Sequence, residues 1–276
     1  MTSLLPQTST PFRCPICHAL LQRADRHYYC ENHHHFDVAK EGYVNLLPVQ
    51  HKNSKQPGDS KAMLQQRRLF LQSGAYQPLV DDLLNVIDAL QPTCLLDSGC
   101  GEGYYSRQLR KRLPTTTELH AMDISKAAIQ LAAKHGSGIH FCVASAKELP
   151  YPAASFDAIL LLCAPFQTSE LQRVLQDQAA LVLVSAAPQH LLEFKQGIYQ
   201  DVKLHSDAIR AIDGFVHQQR QRCSFELNSL SPESYLSLLN MMPLGWKLTE
   251  AQKQVLCARL TTLQADFYID VYCKGS

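Results

Sequence analysis

The chain has 276 residues, 46% of them hydrophobic, which suits one large domain or a large domain with a small one and excludes wholesale disorder. A formal net charge of +1 provides no bulk attraction for nucleic acid, so any RNA or DNA surface has to be local. Of the ten cysteines, three crowd into the first thirty residues and seven (Cys94, Cys100, Cys142, Cys163, Cys223, Cys257, Cys273) are scattered through mostly apolar runs, the pattern of free buried thiols and not of a disulfide framework.

The opening MTSLLPQTSTPF lacks the basic start and apolar core of a signal peptide. The longest apolar runs, such as AILLLCAPF, fall short of the roughly 20 residues that span a bilayer. The expectation is a soluble cytoplasmic protein without a membrane partner.

Cys14, Cys17, Cys30 and a histidine of the run CENHHHF have the spacing of a four-ligand metal knuckle. Each close pair reaches the metal from one turn, and the intervening loop lets the pairs face each other. Pro15 stiffens the first turn. Three thiolates favour zinc over hard cations. Spacing alone favours His34 or His35 over His33. A set of four protein ligands saturates the metal, so the zinc is expected to be structural and to supply the folding energy of a short module.

Next in the chain, YVNLLPV reads as a strand. KQPGDS reads as a turn containing Pro57 and Gly58, with Asp59 or Ser60 capping a helix over KAMLQQRRLFLQSG that stops at Gly74. CLLDSGCGEGYYSRQLRKRL then reads strand, glycine-rich turn, helix. Its glycines follow G-x-G-x-G, with Asp97 two residues ahead of Gly99, and let backbone approach a ligand closely. The dinucleotide fingerprint is G-x-G-x-x-G, so this is a variant. It is similar to the first motif of class I S-adenosylmethionine-dependent methyltransferases, in which the loop cradles the methionine part of the cofactor. Arg107, Arg110 and Lys111 fall on one face of the following helix and read as a solvated face.

The strand ELHAMD ends at Asp123, twenty residues past Gly103, where an acid suits two ribose hydroxyls. A helix follows with Ser125 as N-cap and Gly136 as stop. IHFCVASAKELPY is a third strand whose end, at Ala144 and Ser145, is expected near the adenine. SFDAILLLCAPF is a buried central strand and AALVLVSAAP a fifth. Ser231 caps a helix with Pro232 at its first position, and CSFELNSL and ADFYIDVYCK alternate like the strands of a closing antiparallel hairpin. The expected fold class is α/β, a mainly parallel Rossmann-like sheet with ligands at the carboxyl ends of its strands.

The knuckle, the stretch FDVAKEGYVNLLPVQHK, PGDS, GAYQPL, GCGEGYY and PQHLLE occur in this order. Together they resemble the bacterial 23S ribosomal RNA guanine-N(1)-methyltransferases of the RlmA group, Gram-negative type, over nearly the whole chain. The resemblance implies a class I methyltransferase fold with a small N-terminal zinc-binding domain. It implies zinc-binding RNA recognition over residues 1–45, a linker and helix over 46–75 and a methyltransferase domain over 76–276. It implies methyl transfer from S-adenosylmethionine to the N(1) of a guanine in a hairpin loop of 23S rRNA, with a homodimer as the family state. It implies zinc on Cys14, Cys17, Cys30 and His34, and cofactor contacts from Tyr76, Gly101, Glu102 and His190, beside Asp97, Gly99, Gly103 and Asp123 of the motifs.

The chain departs from the family in two places. A KPGG-like turn before the fifth strand is absent, and Ser98 occupies an apolar position. A guanine N(1) must lose its proton to react, and Glu102, His190 and Asp97 are the ionisable groups expected near the cofactor. On the knuckle, His18, His27, His33, His35, Arg13, Arg23 and Arg26 are available for phosphates. Two other readings compete: a methyltransferase for another RNA or a small molecule, and a zinc-ribbon binding protein with an inactive domain.

Overall fold

The computed structural model describes residues 11–48, 58–228 and 230–275. The expected turn residue Pro57 and the opening ten residues lie outside them. A three-stranded antiparallel sheet comes first: β1 (Gln22–Ala24), β2 (His27–Tyr29) and β3 (His35–Asp37). Then come β4 (Val44–Asn45), α1 (Lys61–Gln72) and α2 (Gln77–Leu90). The alternating part runs β5 (Cys94–Ser98), α3 (Tyr104–Arg112), β6 (Glu118–Asp123), α4 (Lys126–His135), β7 (His140–Val143), β8 (Phe156–Leu162), α5 (Thr168–Val174) and β9 (Leu175–Ala186). The chain ends with α6 (Leu192–Ile198), β10 (Phe215–Glu226), α7 (Pro232–Asn240), α8 (Glu250–Arg259) and β11 (Gln264–Lys274).

Eight strands form one sheet in the order β10-β11-β9-β8-β5-β6-β7-β4. β4 to β9 of this sheet pair in parallel, while β11 runs antiparallel to both β9 and β10. The chain builds outward from β5 through β6 and β7, then returns to place β8 on the other side of β5. That reversal leaves a crevice at the carboxyl ends of β5 and β8, where doubly wound sheets hold ligands.

Local chemistry sets the helix starts. Ser60, Ser125 and Ser231 each sit in extended backbone and accept an N–H from the first turn of α1, α4 and α7, at 3.2–3.3 Å. Gly136 ends α4 as expected.

Some elements differ from the sequence reading. Among the described residues of YVNLLPV, 43–48, the strand is the two-residue β4, which adds to the edge of the large sheet beside β7. β10 starts at Phe215, eight residues before Cys223, because it is an edge strand whose exposed half has no apolar signature. β10 and β11 pair as expected, but α7 and α8 lie between them, so they are not a hairpin. Where the family turn is missing, α5 passes directly into β9. The pairing of β8 with β9 shifts register between Phe156 and Ala158, and Gln178 has a positive φ of 63°.

The two faces of the sheet are covered by different things. Leu95, Ala121, Phe141, Leu160 and Val182 pack under Leu79, Leu83 and Ile87 of α2, Leu109 of α3 and Ile129 and Ala132 of α4. Leu96, Met122, Cys142, Ile159 and Leu181 face the other way. There they share a core with Leu171 and Val174 of α5 and with Phe12, Cys14, Leu21, Tyr28 and Cys30 of the N-terminal module. The alternation along each strand sends successive side chains to opposite faces. The Phe12 ring meets Tyr28 at 5.2 Å, Tyr151 at 5.4 Å and His120 at 5.9 Å between centroids. Arg13 N–H donates to Pro150 O at 2.9 Å, tying the module's backbone to the same surface.

Phe12 is 2% exposed, so Phe12→Ala is expected to cost about 3–5 kcal/mol. Because its partners belong to the large sheet, the loss should lower the midpoint of one cooperative transition. Calorimetry that resolved two transitions, with only a small early one shifted, would contradict a shared core.

Candidate cofactor site and metal centre

Two turns carry the metal ligands. In the first, Cys14 N–H donates to Ala19 O at 2.8 Å, and His18, at φ 65°, donates its N–H to Cys14 O at 2.9 Å. In the second, Cys30 N–H donates to His34 O and His33 N–H to Cys30 O, at 3.1 and 3.0 Å, with His33 at φ 59°. The turns bring Cys14 Sγ and Cys30 Sγ each to 3.5 Å from His34 Nδ1, and Cys17 Sγ to 3.6 Å from Cys30 Sγ. All four ligand atoms lie within 4.8 Å of one another.

Zinc–sulfur bonds of about 2.3 Å at tetrahedral angles separate sulfurs by roughly 3.8 Å, so the set fits zinc. A hydrogen bond from the Asn32 side chain, helped by Ala19 N–H, pushes the Cys17 thiol down to about 6, towards the thiolate a metal takes. His33, at φ 59°, is not among the four clustered ligand residues. His35 lies in β3, its ring 6.0 Å from Tyr29 and 5.4 Å from His27.

At the other end of the sheet, a cavity of about 470 Å³ opens where β5, β6, β8 and β9 end. Tyr76, Asp97, Gly99, Gly101, Glu102, Asp123 and His190 all line it. Gly103 does not. It begins α3 at φ 77°, and a Cβ there would come within 2.8 Å of Ala132 on α4. Gly99, at φ 84°, would drive a Cβ to 2.5 Å from Ala164, so only glycine keeps the loop this close to the end of β8. Ala144 and Ser145 are not among the lining residues.

The acids are held in distinct ways. Asp97 is 2% exposed and accepts Ser106 Oγ–H at 2.5 Å. Burial raises it to about 7; the Asp123 charge adds to the rise and Ser106 opposes it. Asp123 is raised by burial but accepts Ser125 N–H and Gly101 N–H at 2.8 and 2.9 Å, which favour its charged form. Burial also raises Glu102, against the Arg107 guanidinium 3.0 Å away. That pairing corrects the solvated face expected for α3: Arg107 closes on Glu102, and Arg110 donates to the carbonyls of Leu113 and Thr117 at 2.9 and 2.7 Å.

His190 follows β9 and packs on Phe267 at 4.3 Å. Burial, then the neighbouring His205 and Lys195, push it down to about 3, so the ring is neutral. Its Nδ1 accepts Asp266 N–H at 3.3 Å, which leaves the proton on Nε2. Tyr76 is buried, ringed by Phe70, Phe225 and Phe267, and burial raises its hydroxyl strongly.

Several lining residues are not among the site residues expected from the sequence: Gly58, Asp59 and Arg67, the Tyr104–Tyr105 pair, Cys163 to Pro165 after β8, and Met241 to Pro243. CAPF could have been found, since it directly follows the central strand at the ligand-binding edge. Met241 to Pro243 come from a distant helix end and carry no local signal.

Three outcomes follow for these sites. His34→Ala should lose the zinc that His33→Ala and His35→Ala retain, read as metal content per chain; retention by the His34 variant would overturn the ligand set. Asp123→Ala should weaken S-adenosylmethionine binding by about 1.5–3 kcal/mol without unfolding, read by calorimetry; unchanged affinity would remove Asp123 from the site. Asp97 stands above its ordinary 3.8, so the free site favours the protonated carboxyl, and a cationic ligand beside it releases that proton. Affinity for the sulfonium cofactor should therefore rise as pH passes upward through about 7, and Asp97→Asn should flatten that rise.

Comparison with known sequences agrees with this architecture. The profile described as RlmA, N-terminal, a zinc ribbon, matches residues 12–55, and that of a methyltransferase domain matches residues 95–183. The chain is 33% identical over 186 residues to a 23S rRNA (guanine(748)-N(1))-methyltransferase of Streptomyces fradiae, a match spanning 66% of this chain and 65% of that one. It is 27% identical over 279 residues to a putative 23S rRNA (guanine-N(1)-)-methyltransferase, YxjB, of Bacillus subtilis (strain 168), covering 94% of both chains. A putative enzyme of the same description from Micromonospora griseorubida is 27% identical and covers 94% of this chain and 93% of its own. The fold is that of a class I S-adenosylmethionine-dependent methyltransferase carrying a small zinc-binding motif, and the chain belongs to the RlmA family of zinc-ribbon methyltransferases.

Proposed function

We propose that the protein methylates the N(1) of a guanine in a hairpin loop of 23S rRNA. The single observation that carries this is the union, in one chain, of a saturated Cys3His zinc ribbon with the acid-lined cavity at the sheet's carboxyl edge. A small substrate needs no such ribbon, and the relatives that match nearly end to end are described as putative 23S rRNA (guanine-N(1)-)-methyltransferases.

S-adenosylmethionine, when bound, supplies a methyl group on a sulfonium. Methyl transfer to N(1) would leave the cofactor as a neutral thioether and would require a base or solvent to accept the N(1) proton. Two of the three expected proton acceptors are otherwise engaged: Glu102 is paired with Arg107, and His190 presents Nε2–H, a donor. His190 is thus suited to hold an acceptor oxygen in place and not to take the proton. Asp97 remains ionisable near neutrality but is turned to Ser106. Tyr76 and Phe267 provide an apolar wall on one side of the cavity.

The ribbon supports RNA recognition in two ways. The rings of His27, Tyr29 and His35 gather on the outer face of β2 and β3, where unpaired bases can stack. Beside it, a groove of about 990 Å³ runs between Lys40–Glu41, α1 and α4. It is larger than the cofactor cavity but carries none of the motif acids. Lys40, Lys61, Arg68, Lys134 and His135 face it with Glu41 as the one acid among the lining residues. Burial, then the nearby Arg68, Arg107 and Lys134 charges, push the His135 imidazole down, as a positive groove should. The protein works in the cytoplasm, where its RNA is, as a homodimer.

Incubation of unmodified 23S rRNA with methyl-labelled cofactor should yield N(1)-methylguanosine on nucleoside mass spectrometry. Label in a different nucleoside, or only in small molecules, would overturn the reading. Replacing Lys61, Arg68 and Lys134 by alanine should weaken RNA binding and reduce the salt slope of its logarithm by about 2–3, with cofactor affinity unchanged. An unchanged slope would place the RNA elsewhere.

A further inference from the structure

The cofactor cavity is lined by four carboxylates, those of Asp59, Asp97, Glu102 and Asp123, and by one side chain with a permanent positive charge, Arg67. His190 is neutral. Such a lining suits a sulfonium, an ammonium and ribose hydroxyls. It offers one partner, among the described side chains, for the carboxylate at the amino-acid end of S-adenosylmethionine.

Arg67 is well placed for that partner. It projects from α1, with Leu71 one turn later also on the cavity wall. Its Nη1 lies only 3.3 Å from where a Cβ on Gly101 would stand, so the guanidinium lies directly over the glycine loop. Asp59 holds it there through an ion pair, and both side chains remain about a quarter exposed, 28% and 27%. Arg67 therefore keeps donors available in a planar fork that matches a carboxylate. The next residue, Arg68, points instead to the outer groove.

We propose that Arg67 is the counter-ion of the cofactor's amino-acid carboxylate, with Asp59 as the residue that positions it. This rests on the reading of the cavity as an S-adenosylmethionine site and adds a residue that distinguishes the cofactor from nucleosides lacking its amino-acid end. Asp59 competes for the guanidinium in the free protein, so an incoming carboxylate shares or displaces an existing pair instead of ordering a loose side chain.

Calorimetry with two ligands tests the idea without any methyl transfer. S-adenosylhomocysteine carries the carboxylate; 5′-methylthioadenosine keeps the nucleoside and thioether but lacks it. Arg67→Met should bind S-adenosylhomocysteine roughly 10- to 100-fold more weakly and 5′-methylthioadenosine as the parent does. Arg67→Lys should recover part of the loss, and Arg68→Met should bind both ligands like the parent. Zinc content and melting temperature of each variant establish that it is folded. Equal weakening for both ligands would mean that Arg67 only shapes the cavity, and no weakening for either would mean that the carboxylate is held elsewhere; both overturn the proposal. Failure of the unaltered protein to bind S-adenosylhomocysteine would instead overturn the cofactor reading itself.

Discussion

The zinc tetrahedron holds closed one of the two cores on which the sheet depends. A doubly wound sheet normally buries both faces under helices. Here one face has α2, α3 and α4, while the other has the seven-residue α5 and the zinc module. Cys14 and Cys30 are at once metal ligands and members of that second core, at 0% and 1% exposure. A module with three strands of three residues cannot hold Phe12 and Tyr28 in place by its own contacts. Four ligand bonds to one metal can, and their energy becomes folding energy for everything packed on those rings.

That arrangement also makes the zinc module and the large sheet one body. β4 leaves the ribbon and becomes the edge strand of the large sheet beside β7, with Leu46 N–H donating to Val143 O at 2.9 Å. α1 then lies between the outer basic groove and the cofactor cavity, with Arg68 facing one and Arg67 the other. The cavity concentrates buried carboxyl groups; burial, with a smaller contribution from the Asp123 charge, pushes Asp97 up to about 7. Such a site is costly empty and becomes favourable when a cationic ligand enters it.

Much of this was legible in the sequence where chemistry is local. The Cys-x2-Cys pair, the serine caps at Ser125 and Ser231 and the Asp97-to-Gly103 loop each declare themselves within a few residues. Which histidine joins the metal was not legible from spacing; the structure distinguishes them by bringing His34 Nδ1 to 3.5 Å from two of the cysteine sulfurs. α2 has apolar residues at helical spacing, but its N-cap is Tyr76, which makes no side-chain capping bond, so its start carries no local signal of the kind the serines give. The sharing of a core between ribbon and sheet was invisible, since an alternating strand does not say what will cover its second face. Arg67 and Met241 reach the cavity through tertiary packing, for which the sequence has no marker.

The most direct measurement of the shared core is amide hydrogen exchange on the protein with and without zinc. No zinc ligand lies on β6 or β7, yet Met122 and Cys142 on those strands pack in the core that the ribbon completes. Removal of the metal should therefore speed exchange of the β6 and β7 amides together with those of residues 12–46, while the amides of α2 on the opposite face change least. Exchange that quickened in the ribbon alone, with β6 and β7 as protected as before, would contradict the account and make the ribbon an independent appendage.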